Sequence, residues 1–159
     1  MREIEKILLP IDFSGASIKI LQYAIFLAEK YNAKIFIVNV MEYPYTISGV
    51  PHFRKDDEYE EHMILLAKKK MASFLEENRD QIPVSFESSI LFGHAAEKII
   101  SYAEMESFDL IIIGTHGHKG FKKMLIGSVA EKVIKLAPCP VLTINTYRHN
   151  EEEGANGDR

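Results

Sequence analysis

The sequence has 159 residues, of which 47% are hydrophobic and 26% are charged, and its formal net charge is −4. These values predict one globular domain with one core, and they argue against disordered and fibrous classes of protein. The acidic balance argues against a dedicated nucleic-acid-binding protein. The single cysteine, Cys139, excludes an intramolecular disulfide and a cysteine-based zinc cluster. We expect a cytoplasmic protein without a membrane segment, because residues 1–9 lack a signal peptide's basic start and no apolar run approaches ~20 residues.

Short β-branched apolar runs alternate along the chain with longer stretches of helical periodicity. Such alternation is typical of an α/β fold with a parallel sheet. Strands are predicted at Lys6 to Ile11, Lys34 to Val40, Val84 to Leu91, Asp109 to Ile113 and Val141 to Ile144. Helices are predicted from Ser14 to Asn32, within Asp57 to Asn78, at Ala95 to Met105 and from Ser128 to Leu136. The Ser14 hydroxyl is expected to cap the first helix.

Apolar spacing also predicts the buried face of each helix. In the first helix this face consists of Ile18, Leu21, Ile25 and Ala28. In the second helix, the less regular stripe consists of Met63, Leu66, Lys70 and Phe74. In the third helix it consists of Ile99, Ile100 and Ala103.

Two segments have no regular period. Residues 41–56 contain two prolines and a glycine, and a loop of this length predicts a flap near a functional site. Residues 147–159 are polar and end in EEEGANGDR, which predicts a disordered tail. The folded domain is therefore expected to occupy residues 1–146.

The segment from Gly114 to Ser128 joins the fourth predicted strand to the fourth helix. In an open α/β sheet, ligands bind in a crevice at the carboxyl ends of the strands. The glycines allow the backbone to approach a ligand and to turn its amides towards an anion, and a helix N-terminus also favours phosphate. Lys119, Lys122 and Lys123 add positive charge between these anchors. The segment therefore predicts a phosphate site.

The same residues have a purely structural interpretation. Gly114 can simply end a strand, and Ser128 with Glu131 matches the S-x-x-E capping box. The chain contains neither G-x-x-x-x-G-K-[ST] nor G-x-G-x-x-G, so a P-loop enzyme and a standard dinucleotide fold are not supported. The residues alone leave the two interpretations equally open.

Four motifs together resemble the universal stress protein family. Gly114-x-x-Gly117, followed after nine residues by Gly127-Ser128, is similar to its ATP-binding signature. The segments KILLPIDFS at 6–14, GHAAEKI at 93–99 and APCPVL at 137–142 also resemble the family and follow its order. The resemblance thus extends over the whole chain except the tail.

This resemblance implies an open, twisted, five-stranded parallel sheet of order 3-2-1-4-5 flanked by four helices. It also implies an ATP site in which Mg²⁺ or Mn²⁺ is bound through the phosphates. By position, Pro10 and Asp12 would line the site, with Asp12 accepting hydrogen bonds from the ribose. The Val40 backbone would contact the adenine edge. Gly114 would lie against the ribose and phosphates, and the phosphate donors would be Gly117, Gly127, Ser128 and Val129.

The resemblance further implies a homodimer through antiparallel pairing of Val141 to Ile144. It implies a nucleotide-dependent stress-response regulator, acting on a protein partner that the sequence does not identify. Hydrolysis would be slow or absent, with at most weak ATPase or autophosphorylating activity, because the signature offers mainly backbone amides.

Several alternatives remain open at this stage. The chain could be a nucleotide-independent dimeric interaction module whose glycines serve only as turns. Residues 118–123 could contact nucleic acid. Asp12 could serve only the dipole of the first helix. His116 and His118 are expected to be solvated loop residues, and Cys139 is expected to be packed rather than reactive.

Overall fold

The computed structural model describes residues 3–42, 57–115 and 126–146, with side chains described from residue 60 onward in the second range. Most of the predicted loop at 41–56, the predicted tail, and the whole of 116–125 lie outside the described residues. The described elements, in chain order, are β1 (Lys6–Pro10), α1 (Gly15–Tyr31), β2 (Lys34–Met41), α2 (Asp57–Glu77), β3 (Phe86–Phe92), α3 (Ala95–Met105), β4 (Leu110–Gly114), α4 (Ser128–Leu136) and β5 (Val141–Ile144).

Every predicted strand and helix is present, with its bounds within two residues of the prediction. The largest shift is at β3, which begins at Phe86 because its pairing with β2 begins where Phe86 lies beside Ile35. A 3-10 turn at Arg79–Gln81, which the sequence did not predict, joins α2 to β3.

The five strands form one parallel sheet in the order β3-β2-β1-β4-β5, as the resemblance implied. The chain first moves outwards from β1 to β3 and then returns across the sheet to β4 and β5. Because crossovers between parallel strands are right-handed, this reversal places α1 and α2 on one face and α3 and α4 on the other.

Two cores, one on each face of the sheet, hold these layers together. Alternate side chains of the central strands contribute to each core: Ile7 and Leu9 face α1 and α2, whereas Leu8 faces α3 and α4. Each of these three side chains is fully buried. The strand ILL is therefore apolar throughout because both of its faces are covered by helices.

Two predicted helix faces are partly wrong. Leu21, Ile25 and Ala28 are buried in α1, but Ile18 is 39% exposed. In α2, Phe74 is buried, but Leu66 and Lys70 are exposed, Met63 is half-buried, and the remaining core positions are Ala67 and Met71. In both helices a small residue is buried beside an exposed larger neighbour: Ser17 beside Ile18 in α1, and Ala67 beside Leu66 in α2.

Within the described residues, no helix is long and apolar enough to cross a membrane.

Candidate functional site

The strand order places a crevice between β1 and β4 at the carboxyl edge of the sheet. The connection after β1 leads to α1 on one face, whereas the connection after β4 leads to α4 on the other. The strand pairings place Pro10 beside Val38, and Leu8 beside Ile111. When both registers are continued beyond the paired residues, Asp12 lies level with Val40 and with the end of β4. The fold therefore brings together the predicted residues of three separate segments.

Pro10 explains why β1 and β4 part at this edge. In a parallel ladder, successive residues direct their backbone groups to alternate sides, and the Ile11 N–H points to β2, where it donates to the Val38 carbonyl at 2.8 Å. Pro10 therefore faces β4, and it has no N–H with which to continue that ladder. The β1–β4 pairing ends at Leu8 and Ile111, two residues before β1 itself ends.

Val40 directs its backbone towards the space beyond the end of β1. The Val38 carbonyl accepts from Ile11 of β1, whereas the Met41 carbonyl accepts from Gly93 beyond β3 at 2.8 Å. By alternation, the N–H and C=O of Val40 face the β1 side, and β1 has already ended at that level. A backbone donor and a backbone acceptor therefore lie side by side at the edge of the crevice.

Gly114 occupies the corresponding position on the opposite wall. The next residue, Thr115, donates its N–H to Ile144 beyond β5 at 3.0 Å. By the same alternation, the backbone of Gly114 faces β1. Val40 and Gly114 therefore point their main chains towards each other across the end of β1.

Asp12 lies at the mouth of this crevice and also organises the start of α1. Its Oδ1 accepts the Ser14 N–H at 2.9 Å and the Ser17 hydroxyl at 3.1 Å. The two interpretations of Asp12 in the sequence are therefore compatible, because the carboxylate serves the helix while it lines the crevice. The carboxylate is only partly buried.

The predicted capping role of Ser14 is wrong. Ser14 is the N-cap residue of α1, but its hydroxyl makes no capping bond, and Oγ is buried without a partner. Asp12, two residues earlier, instead holds the start of the helix, because its Oδ1 accepts the N–H of the N-cap Ser14 and the side-chain hydroxyl of Ser17 in the first turn. Between Asp12 and Ser14, Phe13 adopts a left-handed φ of 61°, which non-glycine residues rarely adopt. The turn from β1 to α1 therefore contains both strain and an unpaired hydroxyl.

A backbone hydrogen bond joins the two ends of the Gly114 to Ser128 segment. Gly127 donates its N–H to the Thr115 carbonyl at 2.8 Å. Its φ of −60° is open to any residue, but a Cβ at this position would lie 3.2 Å from the same carbonyl oxygen. Glycine is therefore favoured here by close approach to Thr115. Gly117, the remaining predicted phosphate donor, lies outside the described residues.

The N-terminus of α4 points into this region, and the capping-box alternative for Ser128 is wrong. Gly127 is the N-cap residue, so Ser128 is already the first helical residue and is exposed. The first intrahelical bond runs from the Glu131 N–H to the Gly127 carbonyl at 2.9 Å. The amides of Ser128 and Val129 precede that bond and lie at the positive end of the helix dipole. The Lys135 ammonium donates to the Glu131 carboxylate and lowers the pKa of that carboxyl.

Two further polar residues near the carboxyl ends of the strands were not predicted from the sequence. Glu42 Oε1 accepts the Ala95 N–H at 2.7 Å and thereby links the end of β2 to the start of α3. Asn39, inside β2, donates its side-chain amide to the Ile11 carbonyl at 2.9 Å. Asn39 could have been noticed, because a polar residue interrupts the apolar run IFIVNV.

The described residues contain no cluster of three or more histidine, cysteine or acidic side chains that could hold a metal ion. Cys139 is half-buried against the α3–α4 core, as predicted for a packed residue. Burial and, to a lesser extent, the charge of Asp109 raise the pKa of its thiol. A raised pKa reduces the thiolate fraction at neutral pH and hence the reactivity.

The architecture defines a class of protein: a doubly wound α/β domain with a crevice at the switch point of its sheet. Residues 3–145 match the model of the universal stress protein family. The chain therefore belongs to the universal stress protein family, as its four sequence motifs indicated.

Relatives and solved structures agree with this assignment. The universal stress protein MJ0531 of Methanocaldococcus jannaschii is 31% identical over 142 residues, which cover 88% of this chain and 81% of that protein. The solved structure of protein MJ0577 of the same organism is 30% identical, with a TM-score of 0.75, and the match covers 91% of this chain and 97% of that chain. The universal stress protein from Archaeoglobus fulgidus in complex with dAMP has the same fold, with a TM-score of 0.62 at 20% identity over 91% of this chain and 100% of that chain.

Proposed function

We propose that this protein is an ATP-binding universal stress protein that binds the nucleotide in the crevice between β1 and β4. The observation that carries the proposal is the convergence of three features on that crevice: the backbone of Val40, the carboxylate of Asp12 and the N-terminus of α4. Each feature matches a different part of an adenine nucleotide. The dAMP bound to the Archaeoglobus protein supports the same ligand class.

The Val40 backbone is suited to the adenine base. Its C=O can accept from the 6-amino group of adenine, and its N–H can donate to a neighbouring ring nitrogen. Guanine carries a carbonyl oxygen at the 6-position, which would face the Val40 carbonyl as a second acceptor. The arrangement therefore favours ATP over GTP.

Asp12 and α4 are suited to the sugar and the phosphates. The partly buried Asp12 carboxylate can accept from ribose hydroxyls while it holds the first turn of α1. The Ser128 and Val129 amides and the exposed Ser128 hydroxyl can donate to phosphate oxygens. The Gly127 N–H is already bonded to the Thr115 carbonyl. Gly127 would therefore contribute through its lack of a side chain, which allows the backbone to approach closely at this position. Mg²⁺ or Mn²⁺ would be held through the phosphates, with few protein ligands.

These groups hold phosphates better than they cleave them. Rapid phosphoryl transfer requires a positioned nucleophile and concentrated positive charge at the γ-phosphate. The described wall of the crevice supplies chiefly backbone amides and a carboxylate that is already engaged. We therefore propose a nucleotide-dependent regulator with slow or absent hydrolysis.

Thermal unfolding in the presence of nucleotides tests this function. At one hundred times Kd, Mg-ATP should raise the free energy of unfolding by about 2.7 kcal/mol. For a domain of this size this corresponds to a rise in Tm of about 5–10 °C. Mg-GTP at the same concentration is the matched control and should give a much smaller shift. If millimolar Mg-ATP, ADP and AMP all leave Tm unchanged, the nucleotide-independent module is the better description.

We also propose that the protein forms a homodimer through β5. This strand is at the edge of the sheet, and it carries Leu142, which is 37% exposed. An exposed apolar edge strand favours pairing with a second strand. The nearby helix α4 adds the exposed side chains of Ile134 and Leu136.

A further inference from the structure

Asn39 is a buried polar residue at a position where the strand pattern calls for an apolar one. Its side chain lies on the same face of β2 as Ile35 and Ile37, both of which are fully buried in the α1–α2 core. Asn39 itself is 6% exposed. A branched aliphatic side chain of similar size would pack in this layer without any hydrogen-bonding requirement.

The Asn39 side chain replaces a bond of the regular ladder. In a parallel pair that continued past Pro10, the next bond would join the Val40 N–H to the Ile11 carbonyl. The Ile11 carbonyl instead accepts Nδ2 of Asn39 at 2.9 Å. The last hydrogen bond between β1 and β2 is thus donated by a side chain and not by the backbone. The Val40 backbone groups face the crevice instead.

The same bond fixes the peptide unit that carries Asp12. The Ile11 carbonyl and the Asp12 N–H belong to one planar group. On one side of Ile11, its N–H donates to the Val38 carbonyl at 2.8 Å, and on the other side its carbonyl accepts from Asn39. Asn39 therefore sets the plane from which the Asp12 side chain departs.

This arrangement is unfavourable for stability alone. Among the described residues, the buried side-chain oxygen and nitrogen atoms without a partner are Oδ1 of Asn39 and Oγ of Ser14. Both atoms flank the Asp12 turn, in which Phe13 has its left-handed φ of 61°. Unsatisfied polar atoms and backbone strain that occur together are typical of a segment shaped for a ligand.

We propose that Asn39 is the positioning residue of the nucleotide site, which holds Asp12 and the Val40 backbone in the geometry that binds adenosine. The inference rests on the nucleotide-binding function proposed above. Asn39 acts through the Ile11 carbonyl and does not itself contact the nucleotide.

The first experiment compares Asn39→Leu with Asn78→Leu. Asn78 is 3% exposed and donates Nδ2 to the Phe74 carbonyl at 2.7 Å, so it has the same burial and bond type at the end of α2. Calorimetric titration with Mg-ATP should show at least tenfold weaker binding for Asn39→Leu and unchanged binding for Asn78→Leu. Equal losses in both variants would assign Asn39 a merely structural role and overturn the proposal.

The second experiment uses pH. A buried aspartate at this position has a raised pKa, and only its protonated form can donate to the Ile11 carbonyl. Relative to the wild type at each pH, Asn39→Asp should therefore bind Mg-ATP almost normally at low pH and progressively more weakly as pH rises. This pH profile also decides the question if Asn39→Leu does not fold, and a constant ratio across pH overturns the proposal.

A measurement without nucleotide separates this inference from the proposed function. In the unliganded protein, the Ser14 N–H donates to Asp12 Oδ1 at 2.9 Å. Hydrogen exchange of the Ser14 backbone N–H should be faster in Asn39→Leu than in the wild type or Asn78→Leu. If the wild type fails to bind Mg-ATP, the nucleotide function is wrong whatever the exchange shows. If the wild type binds and the Ser14 exchange and Mg-ATP affinity of Asn39→Leu are normal, the positioning role alone is wrong.

Discussion

Asp12 has a structural role at the start of α1, and we propose that the same carboxylate also binds the ribose. Its Oδ1 accepts from the Ser14 amide and the Ser17 hydroxyl, which starts α1. Ser17 is fully buried, so the hydroxyl needs this partner. Removing the whole carboxylate would therefore lower both stability and affinity, and a substitution that only lowers affinity must keep Oδ1.

Asp12→Asn and Asp12→Ala should separate these two roles. Asparagine retains an oxygen for Ser14 and Ser17, so the free energy of unfolding measured by urea denaturation should change by less than about 0.5 kcal/mol. Alanine removes that acceptor and should cost about 1–2 kcal/mol. Both variants should bind Mg-ATP about tenfold more weakly, because the asparagine amide presents a donor where the ribose hydroxyls need an acceptor. Wild-type affinity in Asp12→Asn would contradict the assignment of Asp12 to the ribose.

At the residue scale, the sequence predicted residues that the fold places at the crevice, but it did not predict the residues that hold them in position. Asp12 and Val40 follow from motif position, and the fold places both at the crevice. The roles of Asn39 and Glu42 depend on which carbonyl or amide lies opposite them, and those partners are 28 and 53 residues away along the chain. Local patterns contain no information about such distant partners.

At the scale of the element, the backbone conformation at the N-terminus of α4 allows the proposed phosphate site to be tested. Gly127 has φ −60° and ψ 150°, which is the extended conformation that a residue before proline prefers. Ser128 follows as the first helical residue, where proline is well tolerated because its missing N–H has no intrahelical partner. A proline at Ser128 can therefore remove one amide without breaking the helix.

Ser128→Pro should accordingly weaken Mg-ATP binding while the unliganded protein keeps its Tm within a few degrees. A lost hydrogen bond to a charged phosphate corresponds to roughly a 10- to 100-fold loss of affinity. Ser128→Ala is the matched control, since it removes only the hydroxyl and should weaken binding much less. Calorimetric titration measures both variants. Equal affinities for Ser128→Pro and Ser128→Ala would rule out the Ser128 amide as a phosphate donor.

The elements themselves could be predicted because each depends on local periodicity. Runs of β-branched residues placed the strands, and spacing of three and four placed the helices. The buried face of α2 could not be predicted equally well. Ala67 is buried and Leu66 is exposed, although leucine is the more hydrophobic of the two residues. Which of them faces the sheet depends on how closely the helix approaches, and this is a property of the assembled layers.

At the scale of the whole molecule, the strand order came from the family resemblance and not from the residues. Alternating strands and helices predict a parallel sheet, but they do not state that the chain returns past β1 to form β4. That return creates the switch point, and with it the crevice. It also leaves β3 and β5 as the edges of the sheet, with different consequences for assembly.

The proposed dimer can be tested by substitutions that alter only the outer edge of a strand. Pro140 and Ile144 both direct their carbonyls to β4, so by alternation Thr143 directs its N–H away from the sheet. Thr143→Pro should therefore leave the β4–β5 ladder intact while it removes a donor from the pairing edge. We expect this variant to be monomeric by light scattering, whereas the wild type is a dimer.

Ser88→Pro is the matched control at the opposite edge. The Ser85 carbonyl and the Gly93 N–H both point to β2, so Ser88 in β3 faces outwards as Thr143 does in β5. The same substitution there should leave the dimer intact, because β3 carries no proposed contact. A dimer that survives Thr143→Pro but dissociates with Ser88→Pro would move the interface to β3, and a monomeric wild type would remove the dimer altogether. We expect the monomeric variant to bind Mg-ATP as the dimer does, because the described wall of the crevice consists of β1, β2, β4 and α4 of one chain.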